Sequence, residues 1–153
     1  MRAPMIWKPN VTVAAVVERD GRFLLVEEDT ERGRLFNQPA GHLEPGESLI
    51  EAVAREALEE TAYSFTPAAL IGVYHYHHAA DDTTYLRFAF TGEVTGPDPG
   101  RALDTGIVRA VWLDLEAIRL ESPRHRTPLV MRCIEDYRAG RRYPLAILHH
   151  HSS

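Results

Sequence analysis

The sequence predicts an α+β domain in which several β-strands pack with two helices. Runs of β-branched and aromatic residues recur along the chain, and two segments carry the apolar spacing and end signals of helices. With 153 residues, the chain is long enough for one well-buried core and too short for two ordinary domains. We therefore expect a single domain over residues 1–145, followed by a short C-terminal tail at 146–153.

Composition and charge exclude several classes of protein. With 44% apolar and 25% charged residues, the chain is typical of a globular domain, and no stretch approaches the length of a membrane span or a signal peptide. The formal net charge of −5, without a long basic run, argues against a nucleic-acid partner. The single cysteine, Cys133, allows no internal disulfide and fits a reducing cytoplasm. We expect a cytoplasmic protein without membrane contact, with a monomer favoured and a dimer as the alternative.

The strand-like runs come in pairs. Residues 11–17 and 22–28 flank Asp20-Gly21, a strong turn signal, so we expect them to form an antiparallel hairpin. Residues 68–78 and 83–94 are a second such pair, and 109–115 is a further strand.

Between the first hairpin and the first helix, the chain is rich in turn formers. Pro39 and Pro45 exclude a helix from residues 28–47, so we predict a functional loop there with one short strand.

Two segments have clear helix signals. Ser48 and Glu51 form a capping-box pair, which predicts a helix from about Leu49 to about Thr61. A second helix is predicted for 128–139, with Gly140 as its stop.

The first helix places three carboxylates close together. Glu56, Glu59 and Glu60 fall within an arc of roughly 100° beside the apolar stripe, and like charges at this spacing destabilise a helix. A solvated acidic face, supported by the Glu51–Arg55 pair, is one explanation. The other is a hard divalent cation such as Mg²⁺ or Mn²⁺, which prefers carboxylate oxygens and converts their repulsion into coordination.

Together with residues upstream, this helix resembles the Nudix box, G-x5-E-x7-R-E-U-x-E-E-x-G-U, in which U is a bulky aliphatic residue. The six matching positions are Gly41, Glu47, Arg55, Glu56, Glu59 and Glu60. Ala57 replaces a larger aliphatic residue and Ala62 replaces the glycine. Because alanine is strained in a left-handed conformation, we expect this helix to end differently from helices that have the glycine of the family pattern. The resemblance implies the Nudix α/β/α sandwich with a central mixed β-sheet.

The resemblance also implies roles for the matching residues. The implied metal ligands are the Gly41 carbonyl and the side chains of Glu56, Glu59 and Glu60. Arg55 and Glu47 are implied to orient these carboxylates and to hold the loop on the helix, whereas an ordinary surface ion pair is the alternative for them. One of the glutamates, with Glu56 favoured, is implied to accept the proton of the attacking water, and a loop carboxylate such as Glu121 competes for that role.

Stretches outside the box resemble a phosphatase branch of the same family. They are WKPNVTVAAVV, LFNQPAGHLE, TTYLRFAF and YRAGRRYPL. This branch implies metal-dependent hydrolysis of hydroxymethylpyrimidine diphosphate, thiamine diphosphate and, less selectively, nucleoside di- and triphosphates, with release of orthophosphate. A nucleoside triphosphate pyrophosphohydrolase, an ADP-ribose-type hydrolase and a catalytically silent Nudix domain that binds a nucleotide or a partner protein are the alternatives. The intact carboxylates argue against the silent domain.

Several residues outside the box are candidates for contact with substrate. They are Gln38, Glu44, His75, His77, Arg87 and Arg126, with Tyr74, Tyr76 and Arg124 considered beside them. Arg87 could contact a terminal phosphate or be a solvated strand arginine. The two histidines share one strand face and could line the pocket, but ordinary strand packing is favoured and no third ligand supports a zinc site.

Overall fold

The computed structural model describes residues 4–153, which form eight strands, three α-helices and two short 3-10 helices. The strands are β1 (Asn10–Val16), β2 (Glu18–Arg19), β3 (Arg22–Thr30), β4 (Gly33–Asn37), β5 (Ala40–His42), β6 (Ser64–His78), β7 (Thr83–Thr95) and β8 (Ile107–Asp114). The helices are α1 (Leu49–Thr61), α2 (Leu115–Leu120) and α3 (Leu129–Arg138), with 3-10 helices at Ser122–Arg124 and Leu145–Ile147.

The strands form two sheets between helices. The first sheet has the order β5-β1-β7-β6 and is mixed, because β1 runs parallel to β7 and antiparallel to β5. The second contains β2, β3 and β4, with β8 on the other side of β3. Val53 of α1 packs in one hydrophobic core cluster, whereas Ile118 of α2 and Ile134 of α3 pack in another. This layered arrangement confirms the predicted fold class.

The first predicted hairpin is only partly right. Asp20 and Gly21 adopt the expected left-handed turn, with φ of 53° and 77°. However, of the residues before this turn only Glu18 and Arg19 pair with β3. Strand β1 is not part of the hairpin and joins the other sheet. Residues 13–17 are all buried, and such a strand is better accommodated in a sheet interior, with a partner on each side, than along a hairpin.

The segment at 28–47 holds more regular structure than a loop with one short strand. It contains β4 and β5, and β3 extends into it as far as Thr30. Pro39 separates β4 from β5, and its carbonyl accepts a hydrogen bond from Ala15 N at 2.9 Å. The proline therefore lies between two short strands, and the segment contains no helix, as predicted.

Helix α1 has the predicted bounds, and its capping box is formed by two hydrogen bonds of 3.1 Å between Ser48 and Glu51. The expectation that α1 ends without a left-handed residue is wrong, because Ala62 adopts a left-handed conformation with φ of 63°. Its N–H donates to Leu58 O at 2.9 Å, and its carbonyl accepts from Asp98 N at 3.0 Å. These contacts stabilise a backbone conformation that alanine alone disfavours.

The last helix, α3, agrees with its prediction, and Gly140 follows it with φ of 82°. Helix α2 was not predicted, because six residues are too few to show a helical period.

The predicted tail begins inside a 3-10 helix. Leu145 and Leu148 pack against the first core cluster, so the chain stays in contact with the domain beyond residue 145. The boundary at 145 stays a prediction. In the part of the chain from residue 4 onward, no helix combines the length and the apolar character needed to cross a bilayer.

Candidate active site

A pocket of about 420 Å³ lies beside α1 and the first sheet. Its lining consists of Thr12, Glu28, Asn37, Ala40, Gly41, His42, Glu44, Glu56, Glu60, Tyr76, Tyr85, Arg87, Arg126, Thr127 and Leu129. One part of this lining is acidic, and another consists of tyrosines and arginines.

Helix α1 presents two of the three predicted carboxylates, Glu56 and Glu60, to this pocket, whereas Glu59 is not part of the pocket lining. Glu56 and Glu60 lie one turn apart and are 9% and 8% exposed, while the side chain of Glu59 is 30% exposed. Carboxylate oxygens of Glu56, Glu59 and Asp104 lie within 4.8 Å of one another. Asp104 was not predicted; its N–H donates to Glu59 O at 2.9 Å, and the turn-forming sequence Asp-Thr-Gly before β8 was its only sequence signal.

Burial disfavours the ionised forms of two carboxylates, Glu56 and Glu60, when no cation is present. It raises the pKa of Glu60 to about 9, with smaller contributions from Glu28 and Glu56, although Ala40 N donates to Glu60 Oε1 at 2.9 Å. Burial also raises the pKa of Glu56, although Arg55 partly opposes this. Buried carboxylates that crowd together are a donor set that fits a hard divalent cation.

Arg55 links the loop before α1 to the carboxylates. Its guanidinium contacts both oxygens of Glu47, at 3.0 and 2.8 Å, and it also donates to Glu56 at 2.9 Å and Glu59 at 3.2 Å. The pKa of Glu47 is lowered chiefly by this hydrogen bonding, and that of Arg55 is raised. The Arg55 Nη2 also donates to His42 O at 3.0 Å, so the pair is part of a network and not an isolated surface ion pair.

Gly41 lies where β5 passes closest to α1. A Cβ atom at this position would lie 2.1 Å from Cδ of Glu56, so any side chain here would displace the carboxylate. The glycine thus allows the backbone of β5 to lie against Glu56.

Three of the six substrate candidates line the pocket. Arg126 forms an ion pair with the buried Glu28, and Arg87 lies on β7. Glu44 lies at the rim, with its side chain 61% exposed and 3.5 Å from Arg55.

The other three candidates have different surroundings. His75 and His77 are exposed on the outer face of β6, and His77 contacts Asp82 at 2.8 Å. Neither histidine is part of the pocket lining, and their contact with substrate stays a prediction. Tyr76, between them, lines the pocket, because alternate residues of a strand face opposite sides. Gln38 is 1% exposed, with both polar atoms bonded inside the protein, and it is not part of the pocket lining, so its predicted donation to substrate stays a prediction.

Arg87 and Cys133 are both buried. The possibility that Arg87 is a solvated strand arginine is wrong, since it is 6% exposed. Cys133 lies in the core, and burial raises the pKa of its thiol.

Replacing Arg55 with Ala is expected to lower the turnover rate by about 10- to 100-fold, the usual loss when a residue that orients metal ligands is removed. The melting temperature should change less, because α1 keeps its capping box and its apolar face. Steady-state kinetics and thermal melts would measure both. Arg55→Lys is the matched control: it keeps the charge and loses the bidentate contact, so it should resemble Arg55→Ala. An unfolded Arg55→Ala variant would instead make Arg55 a structural residue.

Comparison with known proteins agrees with this geometry. Residues 7–132 match the family profile described as NUDIX domain. The chain belongs to the Nudix family. It is 44% identical over 143 residues to Phosphatase NudJ of Escherichia coli K12, an alignment that covers 94% of this chain and 92% of that protein. This match confirms the resemblance to a phosphatase branch, and the chain is a Nudix hydrolase of phosphoanhydride bonds.

Solved structures place the chain in the same family. A Nudix hydrolase from Nitrosomonas europaea is 60% identical, with a TM-score of 0.92 over 94% of this chain and 98% of that one. A MutT Nudix hydrolase from Burkholderia pseudomallei, at 22% identity, has a TM-score of 0.72 over 85% of this chain and 98% of that one, and shows the shared fold. Nudix hydrolases use a divalent metal ion, and the acidic cluster of Glu56, Glu59 and Asp104 fits such an ion.

Proposed function

We propose that this Nudix hydrolase removes the terminal phosphate from a small diphosphate, with hydroxymethylpyrimidine diphosphate and thiamine diphosphate as favoured substrates and nucleoside di- and triphosphates as weaker ones. The observation that carries this proposal is the set of residues that line one pocket. Its acidic part meets Gly41, and Tyr76 and Tyr85, which pair across β6 and β7, provide aromatic surface for a planar ring. The similarity to Phosphatase NudJ supports release of orthophosphate.

Mg²⁺ or Mn²⁺ is the proposed cofactor, held by carboxylates of Glu56, Glu59 and Glu60 and by the Gly41 carbonyl. Asp104 is a further proposed ligand because it lies with Glu56 and Glu59. When bound, the ion neutralises phosphate charge and lowers the pKa of bound water.

Residues of the chain itself orient the carboxylates and deprotonate the attacking water. In this proposal Arg55 and Glu47 fix the directions of Glu56 and Glu59. One of the glutamates, with Glu56 favoured, accepts the proton of the attacking water instead of acting as a ligand. Glu121 is paired with Arg124 at 3.1 Å and is not part of the pocket lining, which supports the choice of Glu56 over Glu121 for that role.

We also propose that the protein acts as a monomer in the cytoplasm. Cys133 is buried and free among the described residues, so the fold needs no oxidising compartment. Its partners in this proposal are small phosphorylated molecules.

Product analysis tests this function. Hydroxymethylpyrimidine diphosphate, thiamine diphosphate, ADP-ribose and nucleoside triphosphates would each be incubated with the protein and Mg²⁺ or Mn²⁺, with and without added pyrophosphatase. Orthophosphate released without pyrophosphatase, fastest from the pyrimidine diphosphate, is expected. Phosphate seen only with pyrophosphatase would indicate a pyrophosphohydrolase, and cleavage of ADP-ribose alone would indicate the ADP-ribose-type hydrolase. No turnover of any compound would favour the catalytically silent Nudix domain that only binds a nucleotide or a partner protein.

A further inference from the structure

Arg87 is a buried cation whose hydrogen-bond partners are neutral. Its Nη1 donates to Gln38 Oε1 at 2.9 Å and contacts Cys133 Sγ at 3.7 Å, and its Nη2 donates to Asn37 Oδ1 at 2.9 Å. Within residues 4–153, no carboxylate forms an ion pair with it. A buried charge without a counter-charge is unfavourable, so this arrangement calls for an explanation.

The two amide anchors hold Arg87 rigidly. Asn37 and Gln38 are 8% and 1% exposed, and Gln38 Nε2 donates to Val130 O at 2.7 Å. This second bond fixes the orientation of the Gln38 amide so that its oxygen faces Arg87. The contacts engage three of the five N–H donors of a guanidinium, which leaves others for a group in the pocket.

Arg87 differs in this respect from the other arginines around the pocket. Arg126 is paired with Glu28, and Arg55 is paired with Glu47. Their positive charges are therefore largely neutralised inside the protein. Arg87 is the pocket-lining arginine, among those described, whose charge stays available to a ligand.

The position of Arg87 relative to the carboxylates suits a diphosphate. In the register of the first sheet, Thr12 of β1 lies opposite His42 of β5 on one side and Arg87 of β7 on the other. Two strand spacings, about 10 Å, therefore separate the backbone beside Gly41 from that of Arg87. The length of an arginine side chain and a diphosphate group together cover this span.

We propose that Arg87 binds the terminal phosphate of the substrate, and that Asn37 and Gln38 are positioning residues whose neutrality keeps its charge free. This inference rests on the proposed function, since it assigns one end of a diphosphate to one part of the pocket. A carboxylate in place of either amide would hold Arg87 equally well and would occupy its charge.

Asn37→Asp tests this idea with almost no change in shape. Inorganic phosphate would be titrated by calorimetry into the Mg²⁺-loaded wild-type protein and variant. The dissociation constant for phosphate is expected to rise at least roughly tenfold, the size of one charge-assisted hydrogen bond, while the melting temperature does not fall. Asn10→Asp, an exposed position at the start of β1, is the matched control and should bind phosphate like the wild type.

Arg87→Met separates loss of the arginine charge from simple repulsion by a new aspartate, because Asn37 itself lines the pocket. It should weaken phosphate binding as much as Asn37→Asp does. If it misfolds, Arg87→Gln, which also removes the charge but keeps polar groups for the two amides, takes its place. Phosphate affinity in folded Asn37→Asp within twofold of the wild type, or no phosphate binding by the wild type, would overturn the inference. Turnover of a diphosphate by the wild type, measured in parallel, reports separately on the proposed function.

Discussion

Replacement of Glu59 by Gln is expected to lower kcat at least roughly a hundredfold while leaving the protein folded. Changes in residues that merely orient metal ligands cost 10- to 100-fold, and loss of a ligand should cost more. Glutamine keeps the size of the side chain and removes the negative charge that a divalent cation requires. The side chain of Glu59 is 30% exposed and makes one ion pair, with Arg55 at 3.2 Å, so its loss should hardly affect packing.

Turnover of the favoured substrate over a range of Mg²⁺ and Mn²⁺ concentrations, together with a thermal melt, would measure this effect. Glu135→Gln is the matched control, because it makes the same chemical change at an exposed position on α3, and it should retain wild-type activity. A Glu59→Gln enzyme with near-normal kcat would remove Glu59 from the proposed ligands.

The second large effect is expected on stability, and its sign is opposite to that of most mutations in a protein interior. Glu60→Gln should raise the melting temperature of the metal-free protein at pH 8. The pKa of Glu60 is raised from 4.5 to about 9 by burial, so folding disfavours its ionised form. A neutral amide avoids this penalty, and its oxygen can still accept the hydrogen bond from Ala40 N.

The pH dependence follows from proton binding. Between pH 4.5 and about 9 the folded state holds a proton on Glu60 that the unfolded state has released, so stability falls as pH rises through this range. The effect is on the order of a few kcal/mol at pH 8, or roughly 5–10 °C in melting temperature for a chain of this length. Glu60→Gln should flatten this slope.

Thermal melts in EDTA from pH 5 to pH 9 would measure the slope, and melts with Mg²⁺ would measure the stabilisation by metal. The wild type should gain more from Mg²⁺ at high pH, whereas Glu60→Gln should gain little at any pH. Glu135→Gln again provides the control and should follow the wild type. A variant that melts below the wild type throughout would show that the ionised carboxylate stabilises the fold.

Local signals in the sequence predicted the centre of the site well. The capping box fixed the start of α1. The six matching positions of the Nudix box placed the carboxylates, Arg55 and Gly41 on adjacent elements. Each of these depends on residues close together in sequence, where spacing translates directly into geometry. Their roles as ligands and orienting residues stay proposals until tested.

What the sequence did not predict depends on distant parts of the chain. A propensity pattern places residues 11–17 in a strand but does not say which strand they join. Alternation places His75 and Tyr76 on opposite faces of β6, but the position of the pocket decides which face matters. The surroundings of Gln38 depend on Arg87 and Val130, 49 and 92 residues away.

The parallel pairing of β1 with β7 has a consequence for how activity arises during folding. Asn10 pairs with Tyr85, so a chain segment of about 75 residues must close before these strands meet. Closing so long a segment is slow compared with forming α1, whose contacts are local. A fragment of the chain can thus contain the complete Nudix signature and still lack the part of the pocket that β7 supplies. We therefore expect a nascent or truncated chain to become active only when β7 has docked beside β1.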